Sequence, residues 1–249
     1  EARASGRVGG VAAPTGGRAE RTLSDLLAAH ADVVILIAAR MSGARLRQVV
    51  RVVPLVSATR WVSGVDSVVC DDEAGAGLLV DHLTGLGHDR IVMMAPPWRS
   101  SARVAGYRAA MERAGLAPRI LDVGHDHDAA TAATLSLLAE TEPPTAIMAH
   151  NDVMAYSVLD AAAACGTRVP EELAVTGYDD LPQSATHMLS LTSVDQHAYE
   201  IGRRSVIRAC SLLDGTDEGP LPALTPVLVP RGSTAARATA DRTRRGAAR

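Results

Sequence analysis

Short apolar runs alternate along this chain with segments whose apolar residues recur at i, i+3 and i+4. The short, mainly apolar runs at 33–38, 55–57, 67–70, 90–95, 119–122, 146–150 and 173–177 read as strands of a buried parallel sheet. Between them, the periodic segments 23–30, 74–86, 102–114, 129–140 and 153–165 predict amphipathic helices. Such alternation predicts an α/β fold of doubly wound parallel sheets. Gly87 and Gly166 each follow a predicted helix and suit the left-handed position that ends one, while Pro143, Pro144 and Pro170 stop helices ahead of the next strand. After Gly177 the rhythm changes to an apolar run at 189–194, one long helix at 199–213 and a strand at 225–229. Residues 233–249 have no apolar period and are expected as a disordered, solvated tail.

A length of 249 residues accommodates two lobes of ordinary domain size, and no long low-complexity linker separates them. Short crossings must therefore join the lobes. The formal net charge of −3 offers no basic footprint for nucleic acid. No apolar run approaches the roughly eighteen residues of a membrane span, and no leader pattern opens the chain, so a cytoplasmic location is expected. Three cysteines, Cys70, Cys165 and Cys210, are odd in number and lack C-x-x-C spacing; buried reduced thiols are expected. The composition has no lysine, no phenylalanine and a single asparagine, which makes Asn151 conspicuous.

Open α/β sheets bind ligands beyond the carboxyl ends of their strands. Those positions are polar here. Trp98, Arg99, Ser100 and then Arg103 follow the run at 90–95; His150, Asn151 and Asp152 follow the apolar residues 146–149; Tyr178, Asp179 and Asp180 follow Gly177. A carboxylate, a carboxamide and a guanidinium each offer paired donors or acceptors, which suits neighbouring hydroxyls of a small sugar-like molecule. Trp98 can cover an apolar sugar face. Plainer roles stand beside these: Asn151 or Asp152 can simply cap a helix, Asp179 and Asp180 can build a turn, and Arg103 can be a solvated helix charge.

Catalytic constellations are missing. The chain has no G-x-S-x-G elbow, no phosphate loop of the G-x-x-x-x-G-K-[ST] kind and no G-x-G-x-x-G opening a helix, so no enzyme activity, catalytic residue or cofactor is expected. His125, Asp126, His127 and Asp128 lie together, but without the i, i+4 spacing that aims two imidazoles at one ion, and no metal is expected there.

Several stretches resemble the LacI/GalR transcription regulators. They are Ser67-Val-Val-Cys-Asp-Asp72, Leu86-Gly-His-Asp-Arg-Ile91, Arg103-Val-Ala-Gly-Tyr107, His150-Asn-Asp152, Val169-Pro-Glu-Glu-Leu-Ala-Val-Thr-Gly-Tyr-Asp-Asp180, Leu191-Thr-Ser-Val194 and Val229-Pro-Arg-Gly-Ser233, in family order over about residues 33–233. The resemblance implies two periplasmic-binding-protein-like lobes of type I: residues 1–70 completed by a helix at about 198–220, and residues 71–197 completed by a strand at about 225–232. It further implies a small-molecule effector, a carbohydrate, held in the cleft between lobes, and homodimerisation. Arg103, Asn151 and Asp179 match the family's effector contacts, and His127 stands where the family often places a ring over the ligand. The family's helix-turn-helix and first core strand have no counterpart, so operator DNA would be reached only through a headpiece outside this chain, and a gap is expected in the first sheet. A solute-binding protein of a sugar transporter, with the same fold, is the alternative.

Overall fold

The computed structural model describes residues 9–12, 18–38, 41–97, 101–124, 126–216 and 219–237. The chain divides into two units, residues 1–70 with 197–224 and residues 71–196 with 225–249. In the first unit the elements are β1 (Gly9–Ala12), α1 (Arg18–Ala28), β2 (Val33–Ile37), α2 (Gly43–Val50), β3 (Leu55–Ala58), β4 (Asp66–Val68) and α7 (Ala198–Leu213). Its four strands are parallel and lie in the order β1-β2-β3-β4. Alternation along the strands sorts their side chains between two layers. Val34 and Leu36 of β2 pack with Leu23 of α1 and Leu46 and Val49 of α2, whereas Val33 and Ile35 pack with Ile201 and Ala209 of α7. The expected gap in this sheet is closed: β1 pairs directly with β2, Gly9 opposite Val33 through Ala12 opposite Leu36.

The second unit holds α3 (Asp72–Gly85), β5 (Ile91–Ala95), α4 (Ala102–Arg113), β6 (Arg119–Asp122), α5 (His127–Leu138), β7 (Ala146–Ala149), α6 (Asp152–Ala164), β8 (Ala174–Thr176), β9 (Ser193–Asp195) and β10 (Val227–Val229). Its parallel sheet runs β6-β5-β7-β8, and β9 pairs antiparallel with β10. Here too the core has two layers. Ile91, Met93 and Met148 meet Leu79 and Leu83 of α3 and Tyr107 and Met111 of α4; Val92, Met94 and Ile147 meet Leu137 of α5 and Val158 of α6. Each such fully buried side chain contributes about 1.5–3 kcal/mol. Helices α3 and α4 approach so closely that a Cβ on Gly106 would stand 2.2 Å from the Glu73 carbonyl oxygen.

The expected tail starts too early. Ser233 is buried, its backbone exchanges hydrogen bonds with Val175 and Ser190, and its hydroxyl donates to the Val175 carbonyl at 2.6 Å and accepts from the Thr192 amide at 2.8 Å. Further on, Arg237 reaches Asp89 at 2.6 Å. Polar and backbone bonds hold this segment, which is why apolar periodicity did not reveal it; residues 238–249 lie outside the described residues. The cysteines also depart from expectation: Cys70 is buried, but Cys165 and Cys210 are exposed, one at the end of α6 and one on the outer face of α7. No helix among the described residues is long and apolar enough to cross a membrane.

Candidate functional site

The strand order of the second unit reverses between β5 and β7: β6 lies to one side of β5, and β7 and β8 to the other. In an open parallel sheet such a reversal splays the connections on either side and leaves a crevice at the strands' carboxyl ends. Arg103 sits at the start of α4, just after β5, and its Nη1 donates to the carbonyl of His150, just after β7, at 2.9 Å. Its guanidinium thus bridges the switch point.

Two carboxylates share this arginine. Nε lies 3.2 Å from Asp72 Oδ2 at the first turn of α3, and Nη2 lies 3.2 Å from Asp179 Oδ1. The Tyr178 ring covers the guanidinium face, 3.7 Å from ring centroid to Cζ, a cation–π contact strengthened by desolvation. The arginine side chain is 11% exposed and the two carboxylates 20% each. Burial works against the arginine's charge, but Asp72 and Asp179 outweigh it and hold the guanidinium protonated above its ordinary value. Asp179 goes the other way: burial, helped by the neighbouring Asp152 and Asp72, lifts it to about 6 against the pull of Arg103. A second donor, Gln196 Nε2, reaches Asp179 Oδ1 at 2.7 Å.

Asp179 also sits on unusual backbone, with φ of 110°, followed by Asp180 at 50°. Non-glycine residues rarely hold positive φ, and two in succession need support from their surroundings. The Asp179 amide donates to the Val194 carbonyl at 3.0 Å and the Asp180 amide to Ser193 Oγ at 3.1 Å. Arg231, in the segment after β10, donates to Asp180 Oδ1 at 2.6 Å and to the Leu191 carbonyl at 2.7 Å. Asn151 caps α6: its Oδ1 accepts from the Met154 amide at 2.9 Å, leaving its NH2 as the group it can offer a ligand. The arrangement presents acceptors, an amide donor and a held cation side by side, the chemistry that engages hydroxyl groups.

A periplasmic binding protein-like domain matches residues 80–234. The HTH-type transcriptional repressor CytR of Escherichia coli is 30% identical over 228 residues, covering 87% of this chain and 67% of that repressor. The chain belongs to the LacI/GalR family. Another relative, the lactose operon repressor of Escherichia coli, is 33% identical over 156 residues, covering 61% of this chain and 43% of the repressor. Among solved structures, a LacI transcriptional regulator from a Rhodococcus species superposes with a TM-score of 0.81 at 31% identity, covering 87% of this chain and 83% of that one. These relatives are named as transcriptional regulators, not enzymes.

Of the residues chosen from this LacI-family sequence, Arg103 and Asp179 meet directly, and Asn151 adjoins the His150 carbonyl that Arg103 grips. His127 goes elsewhere: it opens α5 with its ring exposed, Nδ1 3.0 Å from Ser157 Oγ and Nε2 3.6 Å from Asp160 Oδ2, both on α6. Trp98 lies outside the described residues. Asp126, from the His/Asp cluster, caps α5 by accepting from the Ala129 amide at 2.8 Å; among the described residues no three His, Cys, Asp or Glu side chains gather as a metal site. Sequence reasoning missed Asp72, Gln196 and Arg231. The signal for Asp72 was its place in the first turn of a helix that follows a strand, where the helix dipole favours a carboxylate.

Proposed function

We propose that this chain is the effector-sensing core of a LacI/GalR-type transcription regulator. It binds a small polyhydroxylated molecule, a sugar or sugar derivative, at the carboxyl ends of the strands of the second unit. Arg103, Asn151 and Asp179 make the polar contacts. One observation carries this reading: the shared Arg103, Asp72 and Asp179 cluster lies across the β5/β7 switch point, where an open sheet takes its ligand. The protein works in the cytoplasm as a homodimer, and operator DNA is met by a helix-turn-helix head outside these 249 residues. Effector control requires that the ligand favour one conformation over another.

The test is thermal stability across a panel of neutral sugars, sugar phosphates and purines, repeated with Asp179→Ala. A ligand that raises the wild-type Tm in a concentration-dependent way, and fails to do so for the variant, supports the site, because stabilisation follows occupancy of the native state. Equal stabilisation of both proteins overturns the assignment of Asp179. The transporter alternative is disfavoured by relatives that are repressors; sedimentation of a monomer at all concentrations would revive it.

A further inference from the structure

Asp152 is fully buried, at 0% exposure, and takes no part in the polar contacts proposed for the ligand. It stands at the first position of α6, where the family resemblance and helix capping draw attention to its neighbour Asn151 instead. Its carboxylate accepts three hydrogen bonds. Oδ1 takes the Ser193 hydroxyl at 2.6 Å, and Oδ2 takes the Leu181 amide and the Ser184 hydroxyl, both at 2.7 Å. Its own amide donates to the Tyr178 carbonyl at 2.8 Å.

These partners bracket the strained pair Asp179 and Asp180. Tyr178 precedes the pair and Leu181 follows it, so Asp152 grips the chain on both sides. Between those grips, Ser193 relays a third hold, donating to Asp152 while accepting from the Asp180 amide. Gly177 completes the seat, since a Cβ there would stand 2.2 Å from Asp152 Oδ1. Burying an ionised carboxylate is costly unless several donors compensate it. Here every donor belongs to the segment that carries Asp179 or to the strand beside it. We infer that Asp152 is a positioning residue for the effector site: its buried carboxylate, gripping Leu181 directly and the Asp180 amide through Ser193, holds Asp179 and Asp180 in the positive-φ backbone that aims Asp179 at Arg103. The inference deepens the effector-binding reading and rests on it for its functional meaning. A carboxylate suits the task because it is acceptor-only, so all three donors can converge on it; an amide carries one oxygen and must turn its NH2 toward one of them.

Backbone hydrogen exchange tests this without a ligand, on wild type, Asp152→Ala and Asp152→Asn. In Asp152→Ala the Asp180 and Leu181 amides exchange about tenfold faster or more, while β5 and α4 stay within about twofold of wild type; Asp152→Asn falls between. Exchange that quickens equally in all these regions, with only a lower Tm, overturns the inference and leaves Asp152 a core-stabilising residue. Should Asp152→Ala not fold, the same comparison in Asp152→Asn decides. D-ribose is then added to wild type and Asp152→Asn well below their melting ranges. Weaker binding by a fully folded variant supports positioning, and equal affinity overturns it. If ribose fails to bind wild type, ribose is removed as the effector, and the exchange comparison still decides Asp152.

Discussion

Each unit sets a buried helix arginine against acid, and the two lie at opposite ends of their sheets. In the first unit Arg208 of α7, 6% exposed, donates through Nε to Asp66 at 2.7 Å; Asp66 opens β4, at the amino end of a strand in regular conformation. In the second unit Arg103 meets Asp72 and Asp179 at the carboxyl ends of the strands, and one of its acids stands on backbone with φ of 110° and is lifted to about 6. The first unit's described sheet runs in sequence order without reversal, whereas the second reverses between β5 and β7. A helix-to-strand clamp needs no backbone strain. Positive-φ backbone and a raised carboxyl gather at the switch point, as they do at functional sites, and this is the contrast that the proposed effector role of Arg103 draws with Arg208.

Removing each cation's partnership separates the two. Arg103→Met leaves Asp72 and Asp179 close together without their shared counter-charge, and should cost about 3 kcal/mol in urea unfolding and abolish effector-induced stabilisation. Asp66→Asn strips Arg208 of its charged acceptor. Because Asp66 is 29% exposed, water recovers part of the loss, and about 2 kcal/mol is expected with the effector response intact. A large loss of effector response in Asp66→Asn, or none in Arg103→Met, would erase the distinction between the two pairs.

Much of this architecture was legible because burial on two faces writes itself into unbroken apolar runs. β5 and β7, buried at every residue, lie within their expected bounds of 90–95 and 146–150, and Gly87 and Gly166 take the positive φ, 87° and 76°, that their places after α3 and α6 predict. Helix α2 escaped because only Leu46 and Val49 of its eight residues are buried; Ser42, which caps it by accepting from the Arg45 amide, was the usable signal. The closing of the first sheet was not legible at all. Which strand lies beside β2 depends on pairing, and a single strand's pattern does not name its neighbour. Arg103, Asn151 and Asp179 were singled out by their position after strands, and the fold brings Arg103 and Asp179 together. Asp152 stood in the sequence as a ligand candidate or a cap, and its hold on residues 180–181 was not visible, since its partners Leu181, Ser184 and Ser193 lie 29 to 41 residues away in the chain and meet it only in the fold.

The smallest effect expected is also the most pointed. If Asp179 serves the ligand at the expense of the fold, Asp179→Asn should bind no effector yet be as stable as wild type or more so at pH 7, by about 1 kcal/mol after allowance for partial solvent screening. Asparagine tolerates the positive φ, and Arg103 keeps Asp72. The pH dependence fixes the sign. A carboxyl whose folded value is raised to about 6 binds its proton more tightly in the native state than in the unfolded chain. Wild type therefore gains stability from this group as the pH falls below 6 and loses it as the pH rises through 6. The Asn variant lacks that term, so its advantage should be full above pH 7, shrink through pH 6 and vanish near pH 4. Unfolding curves for both proteins at those values decide between the two accounts. A variant less stable than wild type at pH 7, with the deficit disappearing in acid, would show that Arg103 and Asp179 form a stabilising pair of the same kind as Arg208 and Asp66.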